Sequence, residues 1–172
     1  TTAALRPHLI FGPGDTNLVP TILKRAKAGR LVRVGNGTNR VDLTFIDDCV
    51  AAHLAAWRTA QNQAETIGGK AFFISQDDPT LLWQWIDRVL SLHRLPPVSR
   101  SLSVGVARGA AFAVEGIWSL LGLRSDPPLT RFLASEMSID HFFSIARARS
   151  VFGYQPQCSV MEATDRTFTS LR

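Results

Sequence analysis

A chain of 172 residues that is 45% hydrophobic and 19% charged can bury one core of ordinary domain size, and its 10 Phe and four Trp exclude a disordered segment. A net charge of +5 and a pI near 10.0 raise nucleic acid as a partner, but the 16 Arg and three Lys are scattered, the pattern of a solvated surface and not of a nucleic-acid-binding stripe. Cys49 and Cys158 lie far apart, outside any CxxC or Cys/His spacing, so they read as structural thiols of a reducing, cytoplasmic compartment.

Residues 3–11 are mostly apolar and run into the breakers Gly12-Pro13-Gly14-Asp15, as a buried strand entering a turn does. With no initiator Met and no basic n-region, the opening reads as a strand whose upstream part lies elsewhere. Val19, Ile22, Leu23 and Ala26 then recur at helical spacing, with Gly29 as the C-terminal cap. Leu31, Val32 and Val34 predict a short strand, Gly35-Asn36-Gly37 a hairpin turn, and residues 41–46 a second extended segment. Asp47 is expected to cap the next helix, whose core-facing side should be Val50, Ala51, Leu54 and Trp57.

Ala71-Phe72-Phe73-Ile74 has the form of a strand buried on both faces. Asp78-Pro79 should open the next helix, where Leu82, Trp85, Ile86, Val89 and Leu90 fall at i, i+3, i+4, i+7 and i+8. Residues 104–123 are largely apolar but carry Arg108 and Glu115, which favours a buried or interfacial helix over a membrane span. Ser144 is expected to cap a helix ending at Gly153, and Ser159-Val160-Met161-Glu162 has the form of a capping box. This alternation of strands and helices predicts an α/β fold with an apolar helical appendage.

No self-contained active site can be assembled from these residues. Gly35-Asn36-Gly37-Thr38-Asn39-Arg40 has two glycines of a dinucleotide fingerprint, but Arg40 replaces the third and a strand follows where a helix N-terminus is needed. Asp47 and Asp48, being adjacent, point in different directions and do not form an acid/base pair. His8, His53, His93 and His141 show no metal-ligand spacing, so no metal site is expected.

Four blocks carry a resemblance that spacing alone does not give. Leu5-Arg6-Pro7-His8-Leu9-Ile10-Phe11-Gly12-Pro13-Gly14-Asp15 resembles the LRPxxI(F/Y)GP(G/R)D segment of extended short-chain dehydrogenases. Gly35-Asn36-Gly37, followed by Val41-Asp42-Leu43-Thr44-Phe45-Ile46-Asp47-Asp48, is similar to that family's GDG and VDFTYVDD block. Gly69-Lys70-Ala71-Phe72-Phe73-Ile74-Ser75 resembles its following strand, and His141-Phe142-Phe143-Ser144 to Gly153-Tyr154-Gln155-Pro156 its terminal box. Within the superfamily, the VDLTFIDD form is similar to the 3β-hydroxysteroid and sterol-4-carboxylate 3-dehydrogenases and to bacterial reductases of long-chain 2-alkyl-3-keto acids.

The resemblance implies that residues 1–172 form the C-terminal, substrate-side part of a Rossmann-type extended short-chain dehydrogenase, with residues 104–123 as an apolar lid or membrane-facing segment. It implies NAD or NADP as cofactor, met at the nicotinamide edge by the backbone of Pro7, His8, Leu9 and Ile10, and a sterol-like or long-chain apolar substrate oxidised or reduced at a 3-hydroxy or 3-keto group. Val41, Thr44 and Trp118 are the implied substrate-binding residues. Nucleotide-sugar enzymes commonly carry at the position of Val41 an Arg that meets substrate phosphates. The family's glycine-rich loop and Tyr-x-x-x-Lys pair precede the segment that begins at Leu5. Tyr154 is the only tyrosine here and Cys158 stands four residues on, so the chain alone is expected to be inactive and its partner to be a missing N-terminal half. A peripheral membrane contact and a homo-oligomer are compatible with this reading. A non-catalytic binding module and a nucleotide-sugar epimerase or dehydratase fragment stay open as alternatives.

Overall fold

The computed structural model describes residues 2–123, 125, 127 and 130–169. In chain order these form β1 (Ala4–Pro7), β2 (Ile10–Phe11), α1 (Leu18–Lys27), β3 (Arg33–Val34), β4 (Arg40–Val41), β5 (Thr44–Phe45), α2 (Ile46–Asn62), α3 (Ala64–Ile67), β6 (Ala71–Ile74), β7 (Thr80–Leu81), α4 (Leu82–Leu92), β8 (Ser101–Leu102), α5 (Val104–Leu120), α6 (Arg131–Glu136), α7 (Ala146–Phe152) and α8 (Val160–Thr169). They divide into one compact unit of residues 1–23, 41–80 and 142–172 and another of residues 24–40 and 81–141.

In the first unit β1 pairs in parallel with β6, Leu5 opposite Phe72 and Pro7 opposite Ile74, while β2 pairs in parallel with β5. The single strand expected over residues 3–11 is thus two. Leu9, at φ 38, turns the chain through the left-handed region and lets its two halves take different partners. Phe72 and Ile74 pack with Ala52 and Ala56 of α2, with Ala148 and Phe152 of α7, and with Tyr154. The Phe72 and Phe152 rings meet edge to face at 5.1 Å.

Several local expectations are corrected. Asp47 does not cap α2; Phe45 holds the N-cap position without a side-chain bond, and Asp47 lies in the first turn. The buried side of α2 is Asp48, Cys49, Ala52 and Ala56, whereas Val50, Leu54 and Trp57 are 50%, 47% and 57% exposed. Alanines let the helix sit close on the sheet, and the larger apolar residues are left outside. The Asp78 carboxylate receives the Val160 amide of α8 at 3.1 Å, and α4 begins only at Leu82. Ser159 does cap α8, accepting the Glu162 amide, and Gly153, at φ 68, ends α7 as expected.

In the second unit α4 buries Leu82, Trp85, Ile86, Val89 and Leu90 as predicted, together with Trp83. Gly35 and Gly37 take φ 77 and 79 in a tight turn, but that turn is not a hairpin: the partner of β3 is β8, in parallel. α5 is one helix whose buried residues are Ala107 and Ala111, while Val106, Phe112, Ile117 and Leu120 face outward, so it is not a buried helix. No helix among the described residues is long and apolar enough to cross a membrane.

Candidate functional site

In open parallel sheets ligands bind beyond the carboxyl ends of the strands, because the loops there are free to vary and the strand backbones converge. In the first unit those ends are Pro7 of β1, Ile74 of β6, Phe11 of β2 and Phe45 of β5. Four of the anticipated site residues, Pro7, His8, Leu9 and Ile10, lie along this rim with Thr44 beside them.

Thr44 is fully buried and ties the rim together. Its Oγ1 lies 2.6 Å from the His8 carbonyl and 3.0 Å from the Ile74 carbonyl, and it accepts the His8 amide at 3.2 Å, so one hydroxyl joins β1, β5 and β6. The Thr44 amide donates to the Leu9 carbonyl at 3.2 Å, and the His8 amide also donates to the Ile74 carbonyl. The backbone of His8 and Leu9 is therefore held by Thr44 and Ile74, and Thr44 shapes the rim from beneath.

The His8 ring is fixed as well. Nδ1 lies 2.8 Å from the Asp42 carbonyl oxygen, which can only accept, so Nδ1 carries the proton. The ring meets Phe143 edge to face, and Phe143 stacks on Phe73 at 4.2 Å. Asp42 is buried beneath; burial pushes its carboxyl above the ordinary carboxylate value, while the Phe143 amide, donating at 2.7 Å, pulls the other way.

Val41 is 2% exposed, with its neighbour Arg40 turned out to solvent. The Arg40 amide is received by Asp140 and its carbonyl by the His141 amide. Trp118 lies in the second unit on α5, half-buried, its indole nitrogen 3.4 Å from the Ser125 hydroxyl.

Sequence reasoning missed a buried polar network below this rim. The Asp48 carboxylate accepts the Gln157 amide at 3.0 Å and the Gln76 side-chain amide at 2.5 Å. The Gln76 oxygen accepts the Phe45 amide at 2.9 Å, and its nitrogen also donates to the Cys158 carbonyl. One glutamine thus anchors the end of β5, the start of α2 and the loop before α8. Beside it opens a groove of about 490 Å³ lined by Asp77, Asp78, Arg149 and Ser159 among others. The inward register of Asp48 was a usable signal; its partners, far away in sequence, were not.

Tyr154 belongs to this interior and not to a proton relay. It is buried, its hydroxyl donates to the Ser75 carbonyl at 3.0 Å, and burial followed by the nearby Asp48 charge pushes its pKa far above the physiological range. Among the described residues no group of His, Cys, Asp or Glu could hold a metal ion.

Residues 1–97 match the 3-beta hydroxysteroid dehydrogenase/isomerase family. The chain belongs to that family. Its curated relatives include a 2-alkyl-3-oxoalkanoate reductase from Stenotrophomonas maltophilia, 42% identical over 96% of this chain and 50% of the reductase. The mouse sterol-4-alpha-carboxylate 3-dehydrogenase, decarboxylating, is 34% identical over 98% of this chain and 47% of its own length. The chain thus spans about half the length of the curated relatives it matches.

Solved structures share the fold. An epimerase from Methanothermobacter thermautotrophicus matches 96% of this chain and 41% of its own, at a TM-score of 0.63 and 20% identity. The UDP-glucuronic acid 4-epimerase of Bacillus cereus, solved with NAD, matches 97% and 44% at a TM-score of 0.60 and 17% identity. The chain is accordingly a partial Rossmann-type α/β fold of the extended short-chain dehydrogenase kind, as its sequence blocks imply. NAD or NADP is the cofactor of this fold family. The glycine-paired turn at Gly35 and Gly37 is followed by β4 and not by a helix N-terminus.

Proposed function

We propose that this chain is the substrate-side half of an NAD(P)-dependent oxidoreductase that exchanges a hydride with the 3-hydroxy or 3-oxo group of a long-chain or sterol-like acid. Both relatives named above act, by their names, on a substrate with a carboxylate on the carbon next to the one that carries or gains the oxygen function. The observation that carries the reading here is Val41: the position where nucleotide-sugar enzymes commonly place a phosphate-binding Arg holds a buried apolar side chain, and Arg40 beside it points to solvent. A diphosphate needs cationic neutralisation, whereas an apolar chain gains about 25 cal/mol for each Å² of apolar surface buried.

When bound, the dinucleotide supplies the hydride. This chain's residues would hold the nicotinamide edge through the backbone of Pro7, His8, Leu9 and Ile10, with Thr44 and Val41 shaping the floor beneath the substrate. Residues 104–123, with Trp118, would cover the substrate as an apolar lid or lean on a membrane surface.

Two expected results test this. Titrated calorimetrically, the 172-residue chain alone should show no micromolar binding of NAD or NADP, because neither a pyrophosphate loop nor a ribose-holding Lys is among its residues. A chimera in which this chain replaces the matching half of the Stenotrophomonas reductase should reduce a 2-alkyl-3-oxoalkanoate and leave UDP-sugars untouched. In that chimera Trp118→Asp should raise KM for the apolar acid about tenfold, the cost of losing one well-buried aromatic contact, with the dinucleotide Kd unchanged. Efficient epimerisation of a UDP-sugar would overturn the assignment.

A further inference from the structure

Leu9 stands in a conformation that its side chain does not favour. At φ 38 it lies in the left-handed region, where a Cβ crowds the following carbonyl and where Gly, Asn and Asp are at home. A strained residue of this kind persists only where its surroundings over-determine it. It falls between the end of β1 and the start of β2, on the rim of the candidate site.

One residue supplies most of that constraint. Thr44 stands opposite Ile10 in the β2–β5 ladder, its amide donates to the Leu9 carbonyl at 3.2 Å, and its hydroxyl reaches the His8 carbonyl at 2.6 Å. Three consecutive residues, one before the strained turn, one within it and one after it, are thus fixed from a single position. A hydroxyl has one proton to give. Of the two carbonyls within its reach, that of His8 at 2.6 Å lies closer than that of Ile74 at 3.0 Å, so the proton goes to His8. The same oxygen accepts the His8 amide at 3.2 Å. Thr44 is 0% exposed, so its hydroxyl acts on its neighbours in the chain and touches no ligand.

Asp42, two residues earlier, adds a second hold on His8. Its carbonyl accepts the Nδ1 proton at 2.8 Å, and its carboxylate accepts the amide of Phe143, whose ring meets the imidazole edge to face. The donor that this arrangement leaves on the rim is the Leu9 amide, which has no partner among the described residues. Its direction is set by the turn, and the turn is held by Thr44.

We infer that Thr44 is a positioning residue: acting through His8 and Leu9, it aims the Leu9 amide at the nicotinamide edge, and it serves hydride transfer rather than the binding of the substrate acid. The inference rests on the reading of this chain as the substrate-side half of an NAD(P)-dependent enzyme.

Two measurements test it, and one of them needs no activity. In the 172-residue chain, Thr44→Val should speed exchange of the residue-44 amide at least about tenfold, because the turn that receives it opens once the hydroxyl is gone. The amides of Phe72 and Ile74 should keep their protection to within about twofold, and Thr44→Ser, which keeps the hydroxyl, should hold the residue-44 amide within about threefold of the parent chain. In the chimera described above, Thr44→Val should lower kcat about tenfold or more with KM for the 2-alkyl-3-oxoalkanoate within about twofold. It should also raise the kinetic isotope effect from dinucleotide deuterated at the transferred position, and Thr44→Ser should restore both quantities. Equal acceleration at Phe72 and Ile74 would reduce Thr44 to a general contribution to stability and overturn the inference. So would a serine variant that behaves like the valine one, or a raised KM with kcat and the isotope effect unchanged, which would give Thr44 to the substrate. A chimera that reduces no acid counts against the half-enzyme reading alone, and the exchange measurement then decides whether Thr44 holds the turn.

Discussion

Asp48→Ala should cost about 3 kcal/mol of stability, among the larger effects of any single polar substitution in this chain, because it removes the acceptor of two hydrogen bonds at once. The Gln157 amide loses its acceptor and the Gln76 side-chain amide keeps only the Cys158 carbonyl, at a position where Asp48 is 1% exposed. Removing a buried charge relieves some desolvation, so the net loss is smaller than the sum of the two bonds. Asp48→Asn keeps one oxygen acceptor but turns an NH₂ toward a donor, and should cost about half as much. Urea unfolding followed by tryptophan fluorescence reads both. A double cycle with Gln76→Ala should be non-additive, because the two residues share the hydrogen bond between them. Additive losses would show that the two residues act separately and that the network is not a unit.

That network also marks where the sequence stops being legible. The strand at Ala71–Ile74 is readable because it is apolar throughout, that at Ala4–Pro7 because its segment runs into the breakers at Gly12-Pro13-Gly14, and the face of α4 because Leu82, Trp85, Ile86, Val89 and Leu90 keep a strict helical period. The face of α2 misleads for a physical reason. Hydrophobic periodicity weights large side chains, and on this helix they form the outer stripe, whereas the inward side is made of Ala52, Ala56 and Cys49, whose small volumes allow close packing. Non-local pairings are equally hidden. Nothing in Arg33 and Val34 indicates that Ser101 and Leu102 will pair with them, and the carboxylate of Asp78 serves a helix that begins more than 80 residues later.

The rim of the candidate site is legible as a segment but not in its construction. The family resemblance points to Pro7, His8, Leu9 and Ile10, and to Thr44 with them; only the geometry reveals that Thr44 joins three strands through one oxygen and that Leu9 takes a left-handed turn between two short strands. The same resemblance groups Trp118 with Val41 as substrate residues, yet they stand in separate units, Val41 enclosed and Trp118 half-open on α5.

Gly12→Ala should be the most damaging small substitution near the rim, with an expected loss of about 3 kcal/mol. Gly12 follows β2 directly and holds φ +151, a conformation that a side chain rarely adopts. A Cβ there would also overlap the Ile46 Cγ2 and stand 3.0 Å from the Ile46 Cβ, which is the branch point of that side chain and cannot swing aside. Ile46 is the first residue of α2, so relieving the overlap means moving the helix start away from the paired β2 and β5 strands. Gly14, two residues on in the same turn, provides the comparison. It holds φ +81, and a Cβ added there would meet nothing within 4 Å, so Gly14→Ala should cost only the backbone strain, about 1 kcal/mol. Denaturant midpoints of the two variants measure the difference directly. If both lose the same stability, the contact with Ile46 is not what forbids a side chain at position 12, and the rim is less tightly tied to α2 than its geometry requires.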